Sequence, residues 1–299
     1  MSTTTRITPR MLHQLAIRLT DRDRRLIRLI REHRVLTAAQ ISEMFFDTDD
    51  AARKRLLSLT RMGLLERFRP NLPPTMGTAP YHYVIGETAA AVLASEDGVD
   101  FGDYGYRRDR VIGIAFSQNL AHTVGTNGIA AKLYGFARRH PDAELLTWWP
   151  ENRCTAAWSP IARPDAFARW REGDHTIDFF LEYDTGTEPL DRVARKLEGY
   201  AELTESSRIV TPVLFWVQGE RREANLRKKL KHHHAQMFVP IATGHGATLN
   251  GSVDDGPAGA RWLPTDQDGP RSRLAELVLH WPGLGPVKAP EETQEEADE

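Results

Sequence analysis

The chain has 299 residues, of which 40% are hydrophobic and 27% are charged, and its formal net charge is −2. This composition is typical of a folded globular protein and excludes the disordered, fibrous and membrane-spanning classes. A single small core rarely needs so many residues, so we expect two domains.

Cysteine content and apolar runs bear on the compartment. Cys154 is the only cysteine, which excludes an internal disulfide framework and fits a reducing environment. The first ten residues lack the apolar core of a signal peptide, and no run approaches the roughly 20 apolar residues that span a bilayer. We therefore expect a cytoplasmic protein without a membrane partner.

The charge is unevenly distributed along the chain. Residues 1 to 85 contain 15 Lys and Arg against 8 Asp and Glu, a net charge of +7, whereas the last nine residues hold six acids. A local basic excess is the electrostatic footprint of nucleic-acid binding, which an average over the chain conceals.

Three helices are predicted in the basic part. Thr20 is a capping residue for a helix over residues 21 to 33, and Thr37 caps a short second helix. A third helix follows from about Ala52 to Met62, because its apolar residues recur at helical spacing. Gly63 is expected to end it.

A hairpin and a closing helix complete the N-terminal pattern. Residues 64 to 69 and 81 to 85 read as two strands around a tip rich in Pro and Gly, and residues 87 to 94 as a helix. This order predicts an α+β winged helix-turn-helix, whose third helix enters the major groove and whose hairpin is the wing. The alternatives are a solvated charged face or a surface for protein contacts. The predicted DNA-binding residues are Arg53, Lys54, Arg61, Arg67 and Arg69.

Composition also suggests where the domains divide. The charged stretch from residue 96 to 110 contains several glycines and predicts a linker. We therefore assign residues 1–110 to the winged helix and linker, 111–288 to an α/β domain of alternating helices and strands, and 289–299 to a disordered acidic tail.

Two acids in the second domain lie at the ends of predicted strands. Asp165 and Glu182 would meet if these strands are neighbours, and their carboxylates would then suit Mg²⁺, which activates water for phosphodiester cleavage. Lys196 lies on the following helix in a stripe with Arg192 and Tyr200 and would supply a cation. Solvated or Arg-paired acids are the simpler alternative.

Several segments taken together resemble the replication-relaxation family of actinobacterial plasmids and integrative elements. They are the winged helix, the segment from Trp148 to Glu151, Arg163-Pro164-Asp165-Ala166, the segment from Leu181 to Glu188, and Lys196 with Tyr200. The resemblance spans about residues 20 to 240. It implies a role in replication or maintenance of a mobile element and a restriction-endonuclease-like second domain.

The second domain departs from an active nuclease at one position. The PD-(D/E)xK superfamily has a lysine two residues after its second acid, whereas this chain has Asp184 there. Asp184 joins Asp165, Glu182 and Lys196 as a candidate catalytic residue. Two alternatives remain open: Lys196 replaces the missing lysine, or the nuclease-like site is inactive.

Three functions remain open from the sequence. The favoured one is a double-stranded DNA-binding protein of a mobile element that acts in plasmid replication, maintenance or transfer. The second is an active Mg²⁺-dependent endonuclease that nicks DNA, and the third is a plain transcriptional regulator. Candidate partners besides DNA are a second copy of the chain and replication or transfer proteins encoded by the element.

Overall fold

The computed structural model describes residues 8–70, 77–246 and 255–284. The chain forms two compact units, the first ending at Arg139 and the second beginning at His140. Each unit combines helices with its own β-sheet. In the described part of the chain, no helix has both the length and the apolar character needed to cross a membrane.

The first unit contains seven helices and three strands among its described residues. In chain order they are α1 (Pro9–Arg18), α2 (Asp21–His33), β1 (Leu36–Thr37), α3 (Ala38–Phe45), α4 (Asp49–Arg61), β2 (Leu65–Phe68), β3 (His82–Ile85), α5 (Glu87–Glu96), α6 (Arg108–Gly113) and α7 (Leu120–Arg139), with a 3-10 turn at Ile114–Phe116.

Capping residues fix where the helices begin. The Thr20 and Thr37 hydroxyls each accept a hydrogen bond from the third backbone N–H of α2 and α3, and side chains of Asp23 and Gln40 return the interaction. These two predicted caps are confirmed. Helix α4 begins three residues earlier than predicted because the Thr48 hydroxyl caps it by accepting from the Ala51 N–H.

The predicted hairpin is also confirmed, and it belongs to a three-stranded sheet. Strand β3 pairs antiparallel with β2 on one side and with the two-residue β1 on the other. The core lies between this sheet and the helices, and its fully buried members include Leu26, Ile27, Ile30, Leu36, Ile41, Leu56 and Leu59.

Helix α7 packs with the first unit, whereas the sequence assigned it to the second domain. Its Gly135 lies so close to α3 that a Cβ there would come within 2.1 Å of the Glu43 carboxylate. The Asn127 amide is buried and donates to the backbone carbonyls of His33 and Val35. Composition gives no sign of these polar contacts. The sequence therefore predicts a domain boundary near residue 110, before α7.

The stretch predicted as a linker is likewise attached to the first unit. The carboxylate of Asp97 pairs with Arg28 at 2.8 Å and accepts from the Tyr104 hydroxyl at 3.0 Å. The guanidinium of Arg31 lies 3.9 Å from the Tyr104 ring centroid. The stretch is therefore packed against the first unit and is not a flexible linker.

The second unit is built on a six-stranded mixed sheet. Its strands are β4 (Ala143–Pro150), β5 (Ala166–Glu172), β6 (His175–Tyr183), β7 (Val213–Val217), β8 (Ile241–His245) and β9 (Trp262–Pro264), in that order across the sheet. Neighbours β6, β7 and β8 are parallel, and the other pairs are antiparallel. Its helices are α8 (Glu151–Trp158), α9 (Leu190–Ser207) and α10 (Glu220–Leu230), with 3-10 turns at His234–Met237, Gly256–Ala258 and Ala275–His280.

Strand β7 starts four residues later than predicted. Ile209 and Val210 remain 45% and 38% exposed, and Pro212 has no N–H to give to a neighbouring strand. Only the fully buried segment after Pro212 joins the sheet. The predicted acidic tail 289–299 lies outside the described residues.

His33 gives the first unit a specific acid sensitivity. Its Nδ1 lies 2.8 Å from the Asn127 Oδ1, and since the Asn127 amide nitrogen donates elsewhere, we assign Nδ1–H as the donor. Burial lowers the pKa of His33 to about 4, although the hydrogen bond that the ring donates to Asn127 acts in the opposite direction. The folded state therefore resists protonation of this ring.

We predict that the first unit loses stability as the pH falls from about 6.5 to 4. In this range the unfolded chain binds a proton at His33 that the folded unit does not, a difference on the order of 3 kcal/mol. Hydrogen exchange of α2 and α7, corrected for intrinsic rates, measures it. His33→Gln should show a smaller acid effect; an equal effect in both proteins would contradict this role.

Candidate functional site

One face of α4 presents charged side chains outward. Asp50, Arg53, Lys54 and Arg61 are exposed and lie at helical spacings that put them on one side. The Asp50 carboxylate contacts the Arg53 guanidinium at 2.6 Å and the Lys54 ammonium at 2.7 Å. Three of the predicted DNA-binding residues therefore share a surface.

Arg55 faces the opposite way and fixes the orientation of α4. Its guanidinium binds both carboxylate oxygens of Asp23, which is fully buried. Burial alone would raise the pKa of Asp23, but hydrogen bonds from Arg55 and Thr20 outweigh it and lower the pKa. The carboxylate is therefore ionised and anchors α4 to the start of α2.

The other two predicted DNA-binding residues are Arg67, in β2, and Arg69, just after that strand. Arg67 and Arg69 are exposed, and their guanidinium carbons lie 4.0 Å and 3.7 Å from the Tyr81 ring centroid. Stacking on an aromatic face restrains an arginine without using its N–H donors. The hairpin thus offers two oriented cations; residues 71–76 of its tip lie outside the described residues.

In the second unit, β5 and β6 bring two acids together. Asp165 immediately precedes β5, its backbone N–H donates to the Leu181 carbonyl, and its carboxylate accepts from the Tyr183 N–H at 2.7 Å. Glu182 lies between these two partners on β6. Asp165 is 6% exposed and Glu182 is 2% exposed, so both carboxyls are withdrawn from bulk water.

Helix α9 supplies the groups that contact Glu182. The Lys196 ammonium lies 2.6 Å from one carboxylate oxygen, and the Tyr200 hydroxyl donates to the other. The four-residue interval between Lys196 and Tyr200 places both on one helix face. Arg192, the third member of the predicted stripe, is exposed and pairs with Glu188 at 3.4 Å.

An aromatic cluster packs against the Tyr200 side of this contact. The Phe180 ring packs against Tyr200 and Trp158, with centroids 5.2 Å and 4.9 Å away. Burial, and then the charge of Asp165, raise the pKa of Glu182 to about 7, although Lys196 and Tyr200 oppose the shift. Glu182 therefore exchanges a proton near neutral pH.

Asp184 has a different environment from the other candidate catalytic residues. Its carboxylate binds the Arg222 guanidinium through two hydrogen bonds of 2.6 Å and 3.1 Å and accepts from the Gly186 N–H. Asp184 therefore joins the end of β6 to the start of α10. The other candidates, Asp165, Glu182 and Lys196, lie together with Tyr200 at a different place, around the Glu182 carboxylate.

The donor set at Asp165 and Glu182 fits Mg²⁺ in kind. Within the described ranges no group of three or more His, Cys, Asp or Glu side chains has the arrangement of a metal site. Mg²⁺ usually takes only one or two protein carboxylates and completes its shell with water and phosphate oxygens. Because Lys196 contacts Glu182 Oε2, an ion would share or displace that contact.

Sequence reasoning missed two charged residues of these sites. Asp50 lies three and four residues before Arg53 and Lys54, an ion-pair spacing that the sequence displays. Arg222 lies 38 residues after Asp184, and no sequence pattern joins the two.

A family model described as replication-relaxation matches residues 27–214, which is more than half of the chain. The match extends from within α2 to the start of β7 and includes all the predicted site residues from Arg53 to Lys196, whereas Arg222 lies beyond it. No curated protein and no solved structure gives a significant match.

We predict that Glu182 makes the second unit less stable as the pH rises from about 4.5 to 7. Because its folded pKa is raised, the folded unit binds a proton there that the unfolded chain has released. The loss is on the order of 3 kcal/mol. All seven tryptophans lie beyond residue 139, so urea unfolding followed by tryptophan fluorescence at pH 5 and 8 reports on this unit.

Glu182→Gln is the control, because it removes the titration and keeps a hydrogen-bonding oxygen. Its unfolding should change less between the two pH values than that of the wild type. Identical pH dependence would place the titrating group elsewhere.

Proposed function

The chain belongs to the replication-relaxation family, and on that premise we propose that it is a double-stranded DNA-binding protein acting in replication, maintenance or transfer of a mobile genetic element. The first unit would bind the duplex. The second unit would act on it or on the proteins assembled there.

The element order of the first unit supports a winged helix. Helices α2, α3 and α4 are followed by the antiparallel pair β2 and β3, and β1 adds the third strand. In this class of domain the third helix enters the major groove and the hairpin contacts the backbone. Helix α4 would then be the recognition helix and the β2–β3 hairpin the wing.

The outward face of α4 is the observation that carries the proposal. Arg55 points inward, where it binds the buried Asp23. Arg53, Lys54 and Arg61 are exposed on the outward face, where a ligand can reach them. Exposed cations on a helix that fits the major groove suit phosphate oxygens and guanine edges. Arg67 and Arg69 would contact a neighbouring phosphate.

We predict that replacing Arg53 and Lys54 together by alanine weakens binding to duplex DNA strongly. Each cation that neutralises a phosphate releases counterions, so the logarithm of the binding constant should also fall less steeply with salt, by about one slope unit per lost contact. Fluorescence anisotropy with a labelled duplex at several salt concentrations measures both quantities.

The matched control is the double variant Lys228→Ala and Lys229→Ala. These two residues are also adjacent and exposed, and Lys229 pairs with Asp191, but they lie in the second unit. Binding close to that of the wild type is expected. Equal losses in the two double variants would contradict recognition by α4.

A second candidate function is Mg²⁺-dependent cleavage of DNA by the second unit. It is favoured by the convergence of Asp165, Glu182 and Lys196 and by the raised pKa of Glu182. Strongly perturbed acids in a shared site are typical of catalytic centres. The order β4, β5, β6, α9 and β7 also suits a restriction-endonuclease-like core.

In such a cleavage reaction, the candidate residues of the second unit would have different roles. Asp165 and Glu182 would hold the ion, which supplies a polarised phosphate and an activated water. Lys196 would stabilise the negative charge that grows on the phosphate oxygens as water attacks and the P–O bond breaks. Asp184, paired with Arg222, would position α10 and take no part in this step.

We predict that Asp165→Asn abolishes nicking of supercoiled plasmid in Mg²⁺ or Mn²⁺. It should leave DNA affinity without metal nearly unchanged, because the first unit supplies that binding. Asp174→Asn, an exposed acid at the turn between β5 and β6, is the charge-matched control and should nick normally. Absence of nicking by the wild type on any DNA form would exclude this second candidate and leave the DNA-binding proposal intact.

A further inference from the structure

We propose that Asp50 is a specificity-determining residue of α4, which holds Arg53 for bidentate recognition of guanine and makes α4 select a G·C pair over bare phosphate. The inference rests on the proposed DNA-binding function. It concerns what α4 recognises within the duplex.

Asp50 is an anion in the middle of a cationic surface. Its carboxylate oxygens contact Arg53 and Lys54 at 2.6 Å and 2.7 Å, and the three side chains are 54%, 77% and 75% exposed. The preceding Asp49 instead accepts a hydrogen bond from Ser42 of α3 at 2.6 Å. Two adjacent acids thus have separate roles, and only Asp50 belongs to the outward face.

The contacts of Asp50 with Arg53 and Lys54 add little to stability, although an acid in the first turn of α4 interacts favourably with the helix dipole. Ion pairs this exposed contribute little to folding, because water screens them and two flexible side chains must be ordered. For a protein that binds DNA through backbone charge alone, an acid at this position would be unfavourable, since it repels phosphates and neutralises its own cations. An acid that contacts both cations of this face therefore favours discrimination between base pairs at the expense of affinity for the DNA backbone.

Base chemistry identifies the preferred partner. An arginine fork matches the O6 and N7 acceptors of guanine in the major groove, and a restrained guanidinium loses less freedom on binding. A carboxylate accepts from the N4 amino group of cytosine and repels an acceptor edge. Asp50 and Arg53, one turn apart on α4, together match the groove edge of a G·C pair.

Selection from a random duplex pool tests the inference with the full chain. Wild type, Asp50→Ala and Asp21→Ala are each carried through the same rounds, and the enriched sequences are compared. Asp21 is the charge-matched control because it is also an acid in the first turn of its helix, and its side chain is 99% exposed on α2. Affinity for an unselected duplex is measured in parallel by anisotropy.

Wild type and Asp21→Ala should enrich the same motif with a fixed G·C position. Asp50→Ala should lose the preference at that position and bind unselected duplex about threefold to tenfold more tightly, because a repulsive charge near phosphates is gone. An unchanged motif in Asp50→Ala, or wild-type binding without any enriched motif, would overturn the inference alone. Failure of wild type to bind any duplex would overturn the proposed function as well.

Discussion

The buried carboxylate of Asp23 is the constraint on which the first unit depends. It accepts hydrogen bonds from the backbone and hydroxyl of Thr20 and from the guanidinium of Arg55, so one side chain caps α2 and fixes α4. Removing the cation from such a pair leaves an uncompensated buried charge, at a cost of about 3 to 5 kcal/mol. Because Arg55 is held inward, the face with Arg53 and Lys54 points outward.

In the second unit, too, a buried carboxyl contacts a helix, but there the pKa of the carboxyl is shifted in the opposite direction. Glu182 receives Lys196 and Tyr200 from α9, yet its pKa is raised by burial and by Asp165, whereas the pKa of Asp23 is lowered. Asp23 is stabilised as an anion and serves the fold. Burial and the neighbouring Asp165 make ionisation of Glu182 unfavourable. Strongly shifted pKa values of this kind are typical of functional sites.

The sequence predicted the elements whose signals are local. The caps at Thr20 and Thr37 mark helix starts within a few residues of chain, and alternating residues mark the β2–β3 hairpin. Long-range contacts carry no comparable signal: the hydrogen bonds between His33 and Asn127 attach α7 to the first unit, and Arg222 binds Asp184. Asp165 and Glu182 were identified because both lie at strand ends; Tyr200 was recognised only as part of the α9 stripe, because its contact with Glu182 needs the fold.

Duplex binding through α4 is tested most directly by a hydrogen-exchange footprint of the full chain with and without a duplex. If α4 enters the groove and the hairpin contacts the backbone, peptides covering residues 49–61 and 65–69 should become protected on binding, while β7 and β8, buried in the second unit, should not change. Protection confined to the second unit, with α4 unaffected at saturating DNA, would contradict DNA binding through α4.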